Sequence, residues 1–576
     1  KILSVQRFLS LSLRTRTNQR IWFNASREAA IRRIPVCRLL TMLRSLGLFA
    51  LVTCAIALVW YGVGRPVPMP PSPLASGHKL TCVSYAPFHG DQAPFTWDLN
   101  IPDKQIASDL KTLSQTTACI RTYSARGAQG RVPRLAAALG LKVLQGIWLG
   151  RNLADNRREI EAALRLARRY PATVEALIVG NEVLLRGELP AARIKAYLEE
   201  VKRRSKLPVT YADVWEFWLR APELAPATDF LTIHILPYWE DRPVAAEDAA
   251  KHVRDVREKI AAAFGGKEIL IGEVGWPSEG RMRHGALPSP ANQARVLTDV
   301  LAAARQEGWR VNLIEAFDQP WKRLLEGTVG GYWGLYDDVL RKPKFRFGEP
   351  VSNEPHWRLA AELGIGAAFL AFVAFWLGRR ESPSYAGGRH SELAATVIAL
   401  GSGLVFGWAA LILPMDSVVT GDRARSVLLF VLALVVPIAA SYALARGQGL
   451  AGFGEVLDQS RWRRSNTIGV ILAALFVATM VAAIHVALGL VFDPRYKDFP
   501  LASLTGPAVA LFILAFANAR TPPNPGQAEI AAAAVLGGSA VFVMANEGSA
   551  NWQAVWFALL LVLLALTAIR ARALPG

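Results

Sequence analysis

Cysteine is scarce in this sequence, with four residues in 576. No Cys/His spacing of the zinc-binding kind occurs, so a structural zinc module is excluded. Cys37 and Cys54 lie in or beside the first apolar run. Cys82 and Cys119 begin two predicted neighbouring strands. They admit a disulfide in an oxidising compartment or two plain buried thiols. The thiols are the expected state, because strand cysteines commonly behave as small hydrophobes. Acid is almost missing from residues 1–44, where Glu28 stands alone against Lys1 and nine arginines. The formal net charge of +19 invites a nucleic-acid reading. Its distribution excludes one, because the excess sits in this arm and in short loops between apolar runs. That pattern orients a membrane protein and builds no face for DNA.

What is abundant is apolar sequence: 52% hydrophobic residues and a mean hydropathy of +0.25. The run Leu46–Val63 follows the basic arm and has the length and flank of a signal-anchor helix, placed at 45–64. No small-x-small cleavage site follows Trp60, which disfavours a cleaved signal peptide. Met42 stands just ahead of the run, so residues 1–44 read either as a mis-assigned upstream start or as a disordered basic arm. A Pro-rich linker, 65–77, should be extended and semi-rigid. Beyond residue 357 the apolar runs return: Leu359–Leu377, Leu393–Leu413, Val427–Leu444, Ile468–Val491, Leu501–Ala517, Ile530–Met544 and Trp552–Ile569. They predict a seven-helix transmembrane region over 358–570, and eight spans with the anchor. With the N-terminus in the cytoplasm, ten loop cations fall inside and four outside (Arg423, Arg425, Arg495 and Lys497). The positive-inside rule then puts the middle region outside the cytoplasm.

That middle region, 78–350, alternates short β-rich runs with amphipathic ones. The predicted strands are Cys82–Pro87, Ala118–Ser124, Lys142–Trp148, Val174–Val179, Pro208–Val214, Phe230–Ile235, Glu268–Gly272 and Asn312–Phe317. Helical stretches include Asn156–Arg169, Ala191–Arg204, Ala246–Phe264 and Pro290–Glu307. Continuous apolar runs such as ALIV and FLTIHI suit parallel strands buried on both faces. The expected fold is an α/β (β/α)8 TIM barrel joined to an α-helical transmembrane bundle. A doubly wound open sheet competes, but eight repeats with polar residues just after the strands favour the barrel.

Two acids stand at predicted strand ends, Glu182 in ALIVGNEVL and Glu273 in EILIGEVGWPS. Strands four and seven face each other across such a barrel, so two inward carboxylates can flank one glycosidic bond. The competing reading is structural ion pairing. The motifs Val179-Gly180-Asn181-Glu182 and Gly272-Glu273-Val274-Gly275-Trp276-Pro277-Ser278 resemble glycoside hydrolase family 17, the β-1,3-glucanases and related transglycosylases. The resemblance covers about 80–345. It implies that Glu182 is the general acid/base and Glu273 the nucleophile, and that Asn181 bonds the sugar 2-hydroxyl. It implies no cofactor and no metal.

Further candidates are less specific. Tyr238 is a candidate partner for the nucleophile, and Tyr85 and Tyr123 for the sugar. Arg121, pointing into a barrel, needs a carboxylate partner. His234 reads as a packed core residue. Trp148, Trp215, Trp276 and Trp321 are candidates for sugar stacking or for core. Strand eight, Glu315-Ala316-Phe317-Asp318-Gln319-Pro320-Trp321-Lys322, resembles the fungal and bacterial branch; Gln319 stands where the plant hydrolases carry Glu, and Lys322 matches their Lys.

The barrel with its anchor and helical bundle is similar to rhizobial membrane β-(1→6)-glucan synthases. That likeness implies a bacterial inner membrane with a periplasmic barrel, the lipid bilayer and a β-1,3/β-1,6-glucan as partners, and other glucan-synthesis membrane proteins nearby. Gln459-Ser460-Arg461-Trp462 falls one residue short of the processive glycosyltransferase motif and reads as a basic loop. The expected activity is transglycosylation of β-1,3-glucan to form β-1,6 linkages. Net endo-β-1,3-glucanase hydrolysis is the rival, and a glucan-exporting protein with a carbohydrate-binding barrel is a third reading.

Overall fold

The structure, a computed structural model, describes residues 43–96, 99–382, 388–415, 420–453, 467–517 and 526–571. The basic arm up to residue 42 and the Gln459–Trp462 segment lie outside the described residues.

Eight parallel strands close in chain order: β1 (Cys82–Ser84), β2 (Cys119–Arg121), β3 (Lys142–Ile147), β4 (Val174–Asn181), β5 (Val209–Val214), β6 (Leu231–His234), β7 (Ile269–Val274) and β8 (Arg310–Leu313). β1 pairs with both β2 and β8. A doubly wound open sheet would leave two edges, so the closed barrel decides between the two folds. All eight strands lie where the sequence placed them, but their ends differ. β1 and β2 are each three residues long and stop short of the expected Pro87 and Ser124, and β4 runs on to Asn181. β7 runs past Glu273 to Val274. β8 stops at Leu313, because the next residues bond elsewhere: Glu315 N–H donates to the Trp333 carbonyl, and Tyr336 N–H to that of Ala316.

Helices on the outside carry local signals that fix their ends. The helix Pro290–Glu307 starts at Ser289, whose hydroxyl accepts the Asn292 N–H, with proline at its first position. Gly308, left-handed at φ +68°, ends it.

The barrel interior is layered. At the end where the strands begin, Cys82, Cys119, Leu144, Ile178, Ala212 and Leu270 form one apolar layer. Cys82 and Cys119 are joined there by a disulfide, with Cα atoms 4.3 Å apart. This corrects the expectation of plain thiols. The Val83–Ile120 register sets the two preceding residues side by side and inward.

Among the described residues, eight apolar helices lie beside the barrel. They are α1 (Leu43–Val63), α10 (Trp357–Glu381), α11 (Gly388–Ile412), α12 (Thr420–Ala445), α13 (Thr467–Phe492), α14 (Leu501–Ala517), α15 (Gln527–Glu547) and α16 (Trp552–Arg570). The barrel region between α1 and α10 holds α2 (Asp103–Leu113), α3 (Val132–Ala137), α4 (Leu153–Arg169), α5 (Ala191–Arg204), α6 (Trp215–Arg220), α7 (Ala249–Ala263), α8 (Pro290–Glu307) and α9 (Arg323–Glu326). Among the described residues, seven are long and apolar enough to cross a membrane; α14, at 17 residues, is shorter. The barrel meets the bundle at one end. Arg281 pairs with Glu547 at the end of α15, and Asn551 at the start of α16 donates to the Met282 carbonyl. Arg323 donates to the Pro414 and Met415 carbonyls after α11. Arg495, after α13, donates to the Trp239 carbonyl. At the opposite end, Arg44 pairs with Glu392 and Arg446 with Glu381. The barrel loops that make these contacts follow β6, β7 and β8, on the carboxyl side of the strands.

Candidate active site

Glu182 follows β4 in the left-handed region, at φ +51°, two residues after Gly180 at φ +94°. A side chain held there costs roughly 1–2 kcal/mol. The turn brings Glu182 Oε1 to 2.8 Å from His234 Nδ1 on β6. His234 Nε2 in turn lies 3.6 Å from Glu273 Oε1 on β7. Ligating atoms of the three residues all lie within 4.8 Å of one another. One oxygen of each carboxylate thus lies within 4.8 Å of the other, which sits with the close ~5–5.5 Å spacing of a retaining pair rather than the ~6.5–9.5 Å of an inverting one.

Arg121 on β2 holds this arrangement from inside the barrel, with 1% of its surface exposed. Its Nη1 lies 3.2 Å from Glu273 Oε1 and 3.2 Å from His234 Nε2, and its Nη2 donates to Asn181 Oδ1. The carboxylate partner that a buried arginine requires is therefore Glu273. A guanidinium only donates, so His234 Nε2 accepts and the ring proton sits on Nδ1, facing Glu182. Gly272 makes room for this contact: a Cβ there would stand 2.3 Å from Thr232 Cγ2 and 3.4 Å from Arg121 Nη1.

Tyr123 donates to Glu273 Oε1 at 3.0 Å and sits 2.9 Å from Ser84 Oγ. Burial first, and then the Glu273 charge, pushes its phenol well up, so it stays a donor. Arg121 and Tyr123 thus share Oε1. Among the described residues no hydrogen bond reaches Glu273 Oε2, which leaves that oxygen for attack. Burial pushes the Glu182 carboxyl up, but the His234 hydrogen bond and the charges of Arg121 and Arg186 outweigh it and hold it below the ordinary value. The cluster's geometry would also admit a cation, but the Arg121 guanidinium already supplies positive charge against Glu273.

The sequence-stated candidates divide. Asn181 Oδ1 is taken by Arg121, so its Nδ2 is the group left for a sugar hydroxyl. Lys322 Nζ lies 2.7 Å from Glu315, whose carboxyl burial pushes up to about 7. Trp321 is half-buried, with its Nε1 on Gln319 and the edges of Phe88 and Phe95 against it. Trp148 is 41% exposed, with the Arg186 guanidinium 4.2 Å from its ring centre. Four candidates have their partners elsewhere. Tyr85 is buried and donates to Asp109 at 2.9 Å. Tyr238 donates to the Arg281 carbonyl at 2.9 Å and does not bond Glu273; Tyr123 does. Trp276 is fully buried with its Nε1 on the Leu287 carbonyl, which makes it core and no sugar platform. Trp215 is half-buried, with its Nε1 on Glu240 and the Lys259 ammonium over its ring. His234, read as packed core, instead touches both acids. Its signal was present in FLTIHI, where Thr232 and His234 share the phase that faces the interior.

Residues 82–334 match the family described as the BtgE/BtgC glycoside hydrolase domain. The chain is 25% identical over 241 residues to the cell surface mannoprotein MP65 of Candida albicans, covering 41% of this chain and 62% of that protein. It is 26% identical over 287 residues to a glucan 1,3-beta-glucosidase of Arthroderma benhamiae, covering 45% of this chain and 91% of that one. A solved beta-1,3-glucanosyltransferase of Rhizomucor miehei, an active-site mutant in complex with laminaritriose, is 24% identical; the match covers 47% of this chain and 98% of that one, with a TM-score of 0.41. Residues 82–334 are therefore similar to glycoside hydrolase domains of the family 17 type, a retaining glycosidase and transglycosylase class, and stand beside a group of apolar helices.

Proposed function

We propose that the chain is a membrane-bound enzyme that rebuilds β-1,3-glucan by retaining double displacement. The observation that carries this reading is the pair Glu182 and Glu273, with oxygens within 4.8 Å and one histidine between them. Glu273 Oε2 attacks the anomeric carbon while Glu182 protonates the departing glycosidic oxygen. A glucosyl ester on Glu273 results. An acceptor hydroxyl then gives its proton to Glu182 and displaces the ester, restoring the β configuration. Arg121 and Tyr123 stay on Oε1 throughout and hold the nucleophile in place. The names of relatives, among them glucan 1,3-beta-glucosidases, support β-1,3-glucan as the donor.

Transfer to a sugar hydroxyl, forming a β-1,6 linkage, is the favoured outcome. Trp148 and Trp321, which follow β3 and β8 on the same end of the barrel as the acids, offer aromatic faces for sugars. Hydrolysis is the second reading, favoured by the 22% exposure of the Glu182 side chain, which leaves room for water. Incubating the full chain with laminari-oligosaccharides separates them. Longer products with a new linkage are expected; shorter sugars alone would reject synthesis. Glu273→Gln should lower either activity by at least about 10⁴-fold, and retained turnover would refute the site.

The barrel is proposed to lie outside the cytoplasm. The Cys82–Cys119 disulfide suits an oxidising compartment, and the alternating helices put Arg379, Arg380, Arg446 and Arg570 at the far end of the bundle. The relatives named here are fungal, so nothing favours a bacterial inner membrane in particular.

A further inference from the structure

A cavity of about 490 Å³ lies between the barrel and the bundle, away from the catalytic acids' own cluster. Its barrel wall is the loop after β8, through Arg323, Gly327 and Thr328. Its other walls come from the barrel-side ends of α11, α12, α13 and α14. Ile412, Leu429, Phe430 and Val486 make one part apolar. Arg425, Lys497, Asp422 and Asp498 make the rest charged.

The charges do not cancel. Arg425 pairs with Asp422 at 3.3 Å. Asp498 is bonded to Thr328, and loss of water pushes its carboxyl up. Arg323 spends its hydrogen bonds on three carbonyls, those of Pro320, Pro414 and Met415, at 3.1, 3.2 and 2.8 Å, and among the described residues makes no ion pair, which leaves its charge unbalanced. Lys497 is exposed, and among the described residues its ammonium makes no ion pair. α14 also begins here, with no acid in its first turn, so its free N–H groups add positive potential. His485 lines the same cavity, seven residues before the end of α13, or about 10 Å down that helix. A cationic rim over apolar walls, at the outer ends of apolar helices, fits a phosphate group with hydrocarbon attached.

We propose that this cavity binds the phosphate headgroup of a lipid, with Lys497 and Arg323 as its cationic contacts and the faces of α12 and α13 against its chain. The same loop links the site to catalysis. Arg323 adjoins Lys322, which bonds Glu315, and Glu326 of this loop senses the charges of Glu182 and Glu273.

The test uses the purified full chain in neutral detergent and thermal unfolding as the readout. The probes are dioctanoyl phosphatidic acid, dioctanoylglycerol, inorganic phosphate and laminaritetraose. Phosphatidic acid should raise Tm saturably, by several degrees, and dioctanoylglycerol should not. Lys497→Ala should weaken the response at least tenfold, and Lys497→Arg should restore most of it, which separates lost binding from lost folding. An equal response to dioctanoylglycerol, or an unchanged response in Lys497→Ala, would overturn the proposal. Inorganic phosphate reproducing the full shift would overturn a lipid as the source of the anion. A laminaritetraose shift that Lys497→Ala abolishes would make the cavity a glucan site instead.

Discussion

His234 donates to Glu182 through Nδ1 and accepts from Arg121 through Nε2, so one ring ties the acid to the residue that steadies the nucleophile. The bond to Glu182 favours the ionised carboxylate, while the first step needs the protonated one. Its removal therefore raises the Glu182 pKa. Since kcat/KM falls as the general acid loses its proton, the alkaline limb of the pH profile should move up by about one to two pH units in His234→Ala, given ~1.5–3 kcal/mol for a hydrogen bond to a charged group. A pH–rate profile, with circular dichroism to check the fold, measures it; an unmoved limb would detach His234 from the acid. Sequence pattern placed His234 inside the barrel but not its neighbours. Tyr238 was the sequence candidate for the nucleophile and Tyr123 for the sugar, whereas it is Tyr123 that bonds Glu273. They part company because each lies past its strand, where a period of two no longer dictates direction.

Glycines in the strands set how closely the elements approach. A Cβ on Gly146 would stand 2.3 Å from the Thr122 carbonyl oxygen and 2.5 Å from Tyr123 Cα. Gly146→Ala should cost about 1–3 kcal/mol and, by shifting Tyr123 off Glu273, lower kcat more than it raises KM. Thermal unfolding and steady-state kinetics on laminari-oligosaccharides check both halves. The Cys82–Cys119 crosslink closes a separation of 37 residues. Chain entropy then predicts about 3–4 kcal/mol of stabilisation, lost in a Cys82→Ala/Cys119→Ala variant. Chemical denaturation should show this with no change in the pH profile, because the disulfide lies at the end of the barrel away from the acids. The strand positions were legible because buried parallel strands read as unbroken apolar runs. The disulfide was not, because it depends on the β1–β2 register, which two three-residue strands do not encode. The end of β8 was misread for a similar reason: Ala316 and Phe317 are apolar and buried, but Ala316 bonds Ser84 on one side and Tyr336 on the other, and Phe317 bridges to Tyr336, so the later segment around Tyr336 replaces a regular strand ladder.

At the scale of the whole molecule, the barrel and the bundle are joined by buried charge. Arg281 and Glu547 are 3% and 4% exposed and lie 266 residues apart in sequence, a pairing that no local pattern announces. Removing one partner leaves the other buried and unpaired, at a cost of about 3–5 kcal/mol. Glu547→Ala should therefore loosen the barrel from the helices. Limited proteolysis should show faster cleavage between the barrel and α10, and a single melting transition should split in two. A variant as resistant as the parent would mean that the remaining contacts suffice.

The loops that follow β6, β7 and β8 rest on the helices, and these are loops of the catalytic rim. A polymer passing Glu182 and Glu273 therefore cannot run straight out along the barrel axis on that side; it has to slide edgewise, skimming the protein's own base. If that base is the surface of a bilayer, the working space is a shallow gap rather than open solution. Turnover would then track the number of enzymes per unit area, and, on the transglycosylase reading proposed above, each finished strand would be laid down flat beside its enzyme.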